Sequence, residues 1–160
     1  MEYYFLHGLD SSSKGTKALW LKNRYPFFTI PDFSGTLEQR LQKLETLCRH
    51  GKDIFLVGSS FGGLMATCFA AKNGSRISKL VLMAPALNFP GFMVPKPPIT
   101  APAYLLIGSR DTITPPEKVL PLAQQSFAHL QIDIADEDHL LHGAFADLDW
   151  DALLRPEATL

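Results

Sequence analysis

The sequence of 160 residues has little cysteine, no long apolar run and no excess of charge of either sign. Its two cysteines, Cys48 and Cys68, are too few for a disulfide framework. No apolar stretch approaches the roughly 20 residues that a bilayer-spanning helix needs, so an integral membrane protein is not expected. Met1 to His7 lacks the basic segment ahead of an apolar one that marks a secretory signal, and it reads as a first strand. With a formal net charge of -1 and no stripe of Lys or Arg, the chain has no electrostatic footprint for a phosphate backbone or an anionic lipid surface. Neither nucleic acid nor a membrane is expected as a partner, and the expected location is cytoplasmic. Repeats, low-complexity tracts and an interdomain linker are also missing, so one domain over 1–160 is the working expectation.

What is present is a globular composition, 46% hydrophobic and 19% charged, long enough to bury a continuous core. Apolar runs of strand length recur at Tyr3 to His7, Phe27 to Ile30, Ile54 to Val57, Leu80 to Ala84, Tyr104 to Ile107 and Leu130 to Ile134. Most are apolar throughout, as parallel strands covered on both faces must be. In the last, Leu130, Ile132 and Ile134 alternate with Gln131 and Asp133, the pattern of a half-exposed edge strand.

Helical signals lie between several of these runs. Thr36-Leu37-Glu38-Gln39 is a capping box ahead of Leu41, Leu44 and Leu47, and Gly51 supplies a stop. A second box, Thr114-Pro115-Pro116-Glu117, opens a helix towards Phe127 with Pro121 inside it. Further helices are expected over Lys14 to Asn23, Phe61 to Asn73 and Leu140 to Leu153. The alternation predicts an α/β three-layer sandwich around a mainly parallel sheet of about six strands. Pro85 to Pro102, with six of the twelve prolines, is expected to be a loop rather than an inserted cap.

The most specific signal is Ile54-Phe55-Leu56-Val57-Gly58-Ser59-Ser60-Phe61-Gly62-Gly63, an apolar strand running through G-x-S-x-G into a helix. This is a nucleophile elbow in its required setting, with Ser60 at its centre; the competing reading is a plain Gly/Ser turn. A serine hydroxyl needs a base and an acid to become nucleophilic, and in this arrangement they follow in the order Asp, His. Asp111 lies in the loop after the strand ending at Ile107, where it could also be a turn or cap residue. His139 follows the last strand and is the candidate base, with His142 as its rival. His50 and His129 do not follow strands at that end. For the charge that develops on a carbonyl oxygen, the backbone N–H groups of Phe61 and of Leu9, after His7-Gly8, are the candidate donors.

Other readings are weaker. Asp136, Asp138, His139 and His142 could supply metal ligands, but the segment also fits a polar loop ahead of a helix, and neither metal nor cofactor is expected. Gly8 to Gly15 lacks the G-K-[ST] order of a phosphate loop. Cys68 is expected to be a buried small hydrophobe.

At Phe5-Leu6-His7-Gly8-Leu9-Asp10-Ser11-Ser12, Lys17-Ala18, Val57 to Gly63, Ala66-Thr67 and Asp138-His139, the chain resembles the α/β-hydrolase superfamily, and within it small bacterial esterases of the YqiA type. The resemblance implies a parallel core that begins at the third strand of longer relatives. The glycines common before the histidine are replaced here by Asp136-Glu137-Asp138.

The expected function is cleavage of a small carboxylic ester or thioester through an acyl-Ser60 intermediate, with a small acyl compound as partner. The alternatives are a ligand-binding protein that kept the scaffold, and an acyltransferase or lyase with the same triad. The acyl pocket is expected to be open and walled by Leu87, Phe89, Phe92, Met93 and Ile113, unless those of the Pro85 to Pro102 loop merely pin it to the core.

Overall fold

A computed structural model describes residues 1–156. Five strands, β1 (Glu2–Leu6), β2 (Ile54–Ser59), β3 (Ile77–Met83), β4 (Ala103–Gly108) and β5 (Leu130–Ala135), form one sheet in sequential order. Every adjacent pair is parallel. The helices are α1 (Thr16–Arg24), α2 (Leu37–Leu47), α3 (Phe61–Asn73), α4 (Pro116–Ser126), α5 (His142–Asp147) and α6 (Trp150–Leu153).

Strand side chains alternate between the two faces, and each face has its own core. Leu6, Leu56, Leu80, Leu82, Leu105 and Ile107 pack with Leu44 of α2, Leu64 and Phe69 of α3 and Val119 of α4. Phe5, Phe55, Val57, Val81 and Leu106 pack on the other face with Leu21 of α1, Phe145 of α5 and Trp150 of α6. The continuous apolar runs thus serve two cores at once. The α/β three-layer architecture follows, with β5 paired only to β4 and three of its residues exposed.

The strand expected over Phe27 to Ile30 is reduced to one parallel bridge, Tyr4 to Thr29, so the sheet has five strands rather than six. Pro26 and Pro31 flank those four residues and cannot donate to a ladder. The capping box at Thr36 is present, with Thr36 and Gln39 each accepting from the other's backbone. The second box is not. The helix starts at Pro116, after an N-cap at Pro115 with no side-chain bond, because the Thr114 hydroxyl is engaged elsewhere; it then runs through Pro121 to Ser126. The single helix expected over Leu140 to Leu153 is two short ones. Asp149 interrupts it, its carboxylate accepting from Ala152 N at 3.0 Å to start α6 afresh. Residues 84–102 contain no helix and no strand beyond the bridge at Ile99. No described helix is long and apolar enough to cross a membrane.

Candidate active site

The carboxyl ends of β2, β4 and β5 converge, as those of neighbouring parallel strands must, and each delivers one side chain. β2 ends at Ser59, and Ser60 turns the chain into α3 with φ 54 and ψ -114, a backbone state that costs a non-glycine residue about 1–3 kcal/mol. The turn is held on both sides. Ser60 N–H donates to Met83 O at 2.9 Å, and Ser60 O accepts from Gly63 N at 2.9 Å and from Ala86 N at 3.0 Å. A Cβ on Gly62 would collide with the carbonyls of Leu6 and His7, and one on Gly58 would collide with Gly62 O. Glycine at these places is what lets α3 start against β1 and β2.

Asp111, buried in the loop after β4, receives four hydrogen bonds. Oδ1 accepts from Ile113 N and Thr114 N, both at 2.8 Å. Oδ2 accepts from Thr114 Oγ1 at 2.7 Å and from His139 Nδ1 at 2.7 Å. Burial alone would raise the Asp111 pKa; the Thr114 hydroxyl and N–H, and then His139, outweigh it and hold the carboxyl below its ordinary value. Because the carboxylate can only accept, Nδ1 of His139 carries the proton. Nε2 is left to accept from Ser60 Oγ, at 3.0 Å. Thr114 Oγ1, 3.1 Å from His139 Nδ1, shares that proton. The residues expected to act together are therefore in one chain of hydrogen bonds. Thr114, expected to cap α4, is its additional member; the Asp-x-x-Thr spacing was its only signal.

The Leu9 loop lies beside the serine, where a Cβ on Gly8 would be 3.6 Å from Ser60 Cβ. Among the described residues, no backbone acceptor takes the N–H of Leu9 or Phe61, and both residues line the groove above Ser60. Buried His7 fixes this loop. Its Nε2 accepts from Phe33 N at 2.9 Å, so the proton sits on Nδ1 and goes to Gly8 O at 2.7 Å.

The groove has a volume of ≈ 590 Å³; Ser60 and His139 line it, together with the apolar Phe89, Pro90 and Ile113. Of the residues expected to wall an acyl pocket, Phe89 and Ile113 line this groove, whereas Leu87, Phe92 and Met93 do not. Leu87 is 1% exposed in the core beneath. Phe92 packs against the same core, and Met93, 83% exposed, lies outside the lining. Successive tight turns, Leu87 N to Pro85 O, Phe89 N to Ala86 O and Phe92 N to Phe89 O, replace the extended course on which that expectation rested. Ala86 and Asn88 line the groove instead. A second hollow of ≈ 570 Å³, between Lys79, His129 and Leu153, lies towards the opposite strand ends and contains none of these groups.

The acidic triplet before His139 builds its loop. Glu137 accepts from Gly143 N and Ala144 N, each at 2.9 Å, closing the start of α5. Asp138 accepts from Leu140 N at 3.0 Å, and exposed Asp136 pairs with Arg110. Buried Leu141 anchors the far side. Among the described residues no three His, Cys, Asp or Glu side chains are grouped to hold a metal ion. His142 is exposed at the first position of α5 and borders the groove, without a bond to Ser60. His50 and His129 are exposed and remote from it. Cys48 is buried and Cys68 half-buried, both free.

Known proteins share this arrangement of elements. A chloroplastic phytyl ester synthase 1 of Arabidopsis thaliana is 35% identical over 96 residues, which cover 53% of this chain. The chain spans only 14% of that relative's length. An alpha-beta serine hydrolase homologue from Coxiella burnetii superposes with a TM-score of 0.74 at 17% identity, covering 98% of this chain and 85% of that one. A monoacylglycerol lipase from Paleococcus ferrophilus superposes with a TM-score of 0.64 at 20% identity, covering 86% and 85%. The family model for the alpha/beta hydrolase fold matches residues 7–101, from the Leu9 loop through the elbow to the threshold of β4. With its parallel sheet and the serine elbow at the end of β2, the chain belongs to the alpha/beta hydrolase fold family.

Proposed function

We propose that the chain is a serine hydrolase that cleaves a small carboxylic ester or thioester. The observation that carries the reading is the uninterrupted relay from Asp111 Oδ2 to His139 Nδ1, at 2.7 Å, and from His139 Nε2 to Ser60 Oγ, at 3.0 Å. His139 Nε2 takes the Ser60 proton as Oγ bonds to the substrate carbonyl carbon. The N–H groups of Leu9 and Phe61 receive the resulting oxyanion. When the intermediate collapses, the bond to the leaving oxygen or sulfur breaks, and His139 returns the proton to it. Water then repeats the sequence on acyl-Ser60, giving the free acid and restoring the serine. Asp111 stays ionised throughout and orients the imidazole.

The wall of Phe89, Pro90 and Ile113 suits a short or medium acyl chain, because an open groove gains about 0.8 kcal/mol per methylene it covers and nothing beyond its end. A second outlet is favoured by the similarity to a protein named as an ester synthase: an alcohol, in place of water, takes the acyl group from Ser60. A protein that only binds ligands would have no use for the relay.

The test is hydrolysis of p-nitrophenyl esters of increasing acyl length, with and without added alcohol. Ser60→Ala and His139→Ala are expected to stay folded and to lose at least about 10³-fold in kcat/KM. His142→Ala should stay within about tenfold, since that ring is exposed and outside the relay. Phe89→Ala should shift the preferred chain length. Wild-type rates in folded Ser60→Ala would overturn the reading, and a deeper loss in His142→Ala than in His139→Ala would transfer the base.

A further inference from the structure

Arg40, on α2, is 4% exposed, although arginine is rarely buried without a partner charge. Its Nε donates to Gly35 O at 3.0 Å and its Nη2 to Leu9 O at 3.4 Å. Its Nη1 is buried with no hydrogen-bond partner, and among the described residues no carboxylate lies within ion-pairing distance. The guanidinium carbon is 5.1 Å from the centroid of the Phe61 ring. Phe61 meets Phe89 of the groove wall edge-on at 5.5 Å on its other contact. One buried cation therefore touches both residues whose N–H groups serve the oxyanion in the proposed mechanism. Arg40 is not among the residues that line the groove, so its influence on the site runs through Leu9 and Phe61.

Burying a guanidinium with no carboxylate in contact is costly, even with Asp10 near enough to favour its charge, and an apolar side chain would fill the same space more cheaply. A guanidinium here supplies two things that an apolar side chain cannot. Its fork bridges Gly35 O and Leu9 O, tying the loop that carries Leu9 N–H to the segment ahead of α2. Its charge lies against the Phe61 ring, in a setting where water screens little. We propose that Arg40 is a positioning residue for the oxyanion site, holding Leu9 and Phe61 in register and favouring negative charge on the reacting oxygen. The inference rests on the reading of Ser60 as nucleophile, and it assigns a specific source to the site's preorganisation.

The test compares Arg40→Met and Arg40→Lys with wild type, using p-nitrophenyl acetate and a trifluoromethyl ketone, to which Ser60 adds to form a charged tetrahedral adduct. Folding is followed by circular dichroism and Tm. Arg40→Met is expected to lower kcat by about ten- to a hundredfold with KM within about twofold, since small misplacement of an oxyanion donor has effects of that order. Affinity for the ketone should fall by the same factor as kcat/KM, while affinity for the uncharged alcohol analogue of the ketone stays unchanged. Arg40→Lys, which keeps the charge and loses the fork, should fall between the two. A part played only in packing would lower Tm and leave kcat and the ketone affinity at wild-type values, which overturns the proposal. If Arg40→Met does not fold, wild-type kcat in folded Arg40→Lys overturns it equally. These outcomes are separate from failure of the nucleophile assignment, which would appear as retained activity in Ser60→Ala.

Discussion

All four hydrogen bonds to the Asp111 carboxylate come from donors, so its charge is built into the loop as well as into the relay. Burial pushes the carboxyl up, and the two Thr114 donors and His139 more than offset it, leaving it below its ordinary value. A carboxyl lowered in this way stabilises the fold fully above its unfolded value, about 3.9, and that contribution is lost as the pH falls through the folded value. Asp111→Asn places an amide N–H against groups that are themselves donors. It is expected to destabilise the protein at neutral pH by about 1–3 kcal/mol. Its stability should then vary less with pH below about 3.9 than that of wild type. Turnover should fall by about 10⁴-fold, because the amide cannot stabilise the imidazolium. Urea titrations at neutral and acid pH, with kcat measured alongside, check this; wild-type turnover in the folded variant would remove Asp111 from the account. The acidic residue was legible from chain order, whereas Thr114 was not. Its hydroxyl fits a helix cap equally well in sequence, and only the burial of Asp111 decides between the two.

The β2–α3 elbow is the element on which the site depends, and its glycines have different tasks. Gly62 leaves no room for a Cβ against the backbone of Leu6 and His7, whereas Gly74, beyond the other end of α3, has nothing within 4 Å and a helical φ of -49. Gly62→Ala is expected to cost about 1–3 kcal/mol through overpacking and to lower kcat by shifting the elbow against the Leu9 loop. Gly74→Ala should be neutral or stabilising by about 0.4–1 kcal/mol, with turnover unchanged. Chemical denaturation of both variants provides the comparison, and equal effects would show that the elbow is not held by this approach. Elements governed by local chemistry were legible: the Thr36 cap, the apolar strands and the elbow itself. Elements decided by competition were not. The helix expected over Leu140 to Leu153 runs across Asp149, whose carboxylate instead caps α6. Phe27 to Ile30 looked like a strand, but Phe28 is drawn into the core beside α1 while prolines limit the pairing to one residue.

At the scale of the molecule, residues 60, 111 and 139 meet because parallel strands place all their carboxyl ends on one side of the sheet. That convergence could be read from strands alternating with helices before any distance was known. The groove wall could not, because whether Leu87 or Asn88 faces it depends on turns within 84–102 that leave no periodic pattern. Arg40 was invisible for a related reason: its neighbours on α2 describe an ordinary amphipathic helix, and only the approach of Leu9 and Phe61 gives it a task. By this convergence Ser60, and not its neighbour Ser59, is the proposed nucleophile. Treatment with a fluorophosphonate followed by peptide mass spectrometry distinguishes the two serines. One adduct is expected, on Ser60, absent in Ser60→Ala and strongly slowed in His139→Ala; an adduct on Ser59, or ester hydrolysis that continues with Ser60 unlabelled, would take the nucleophile's role from Ser60.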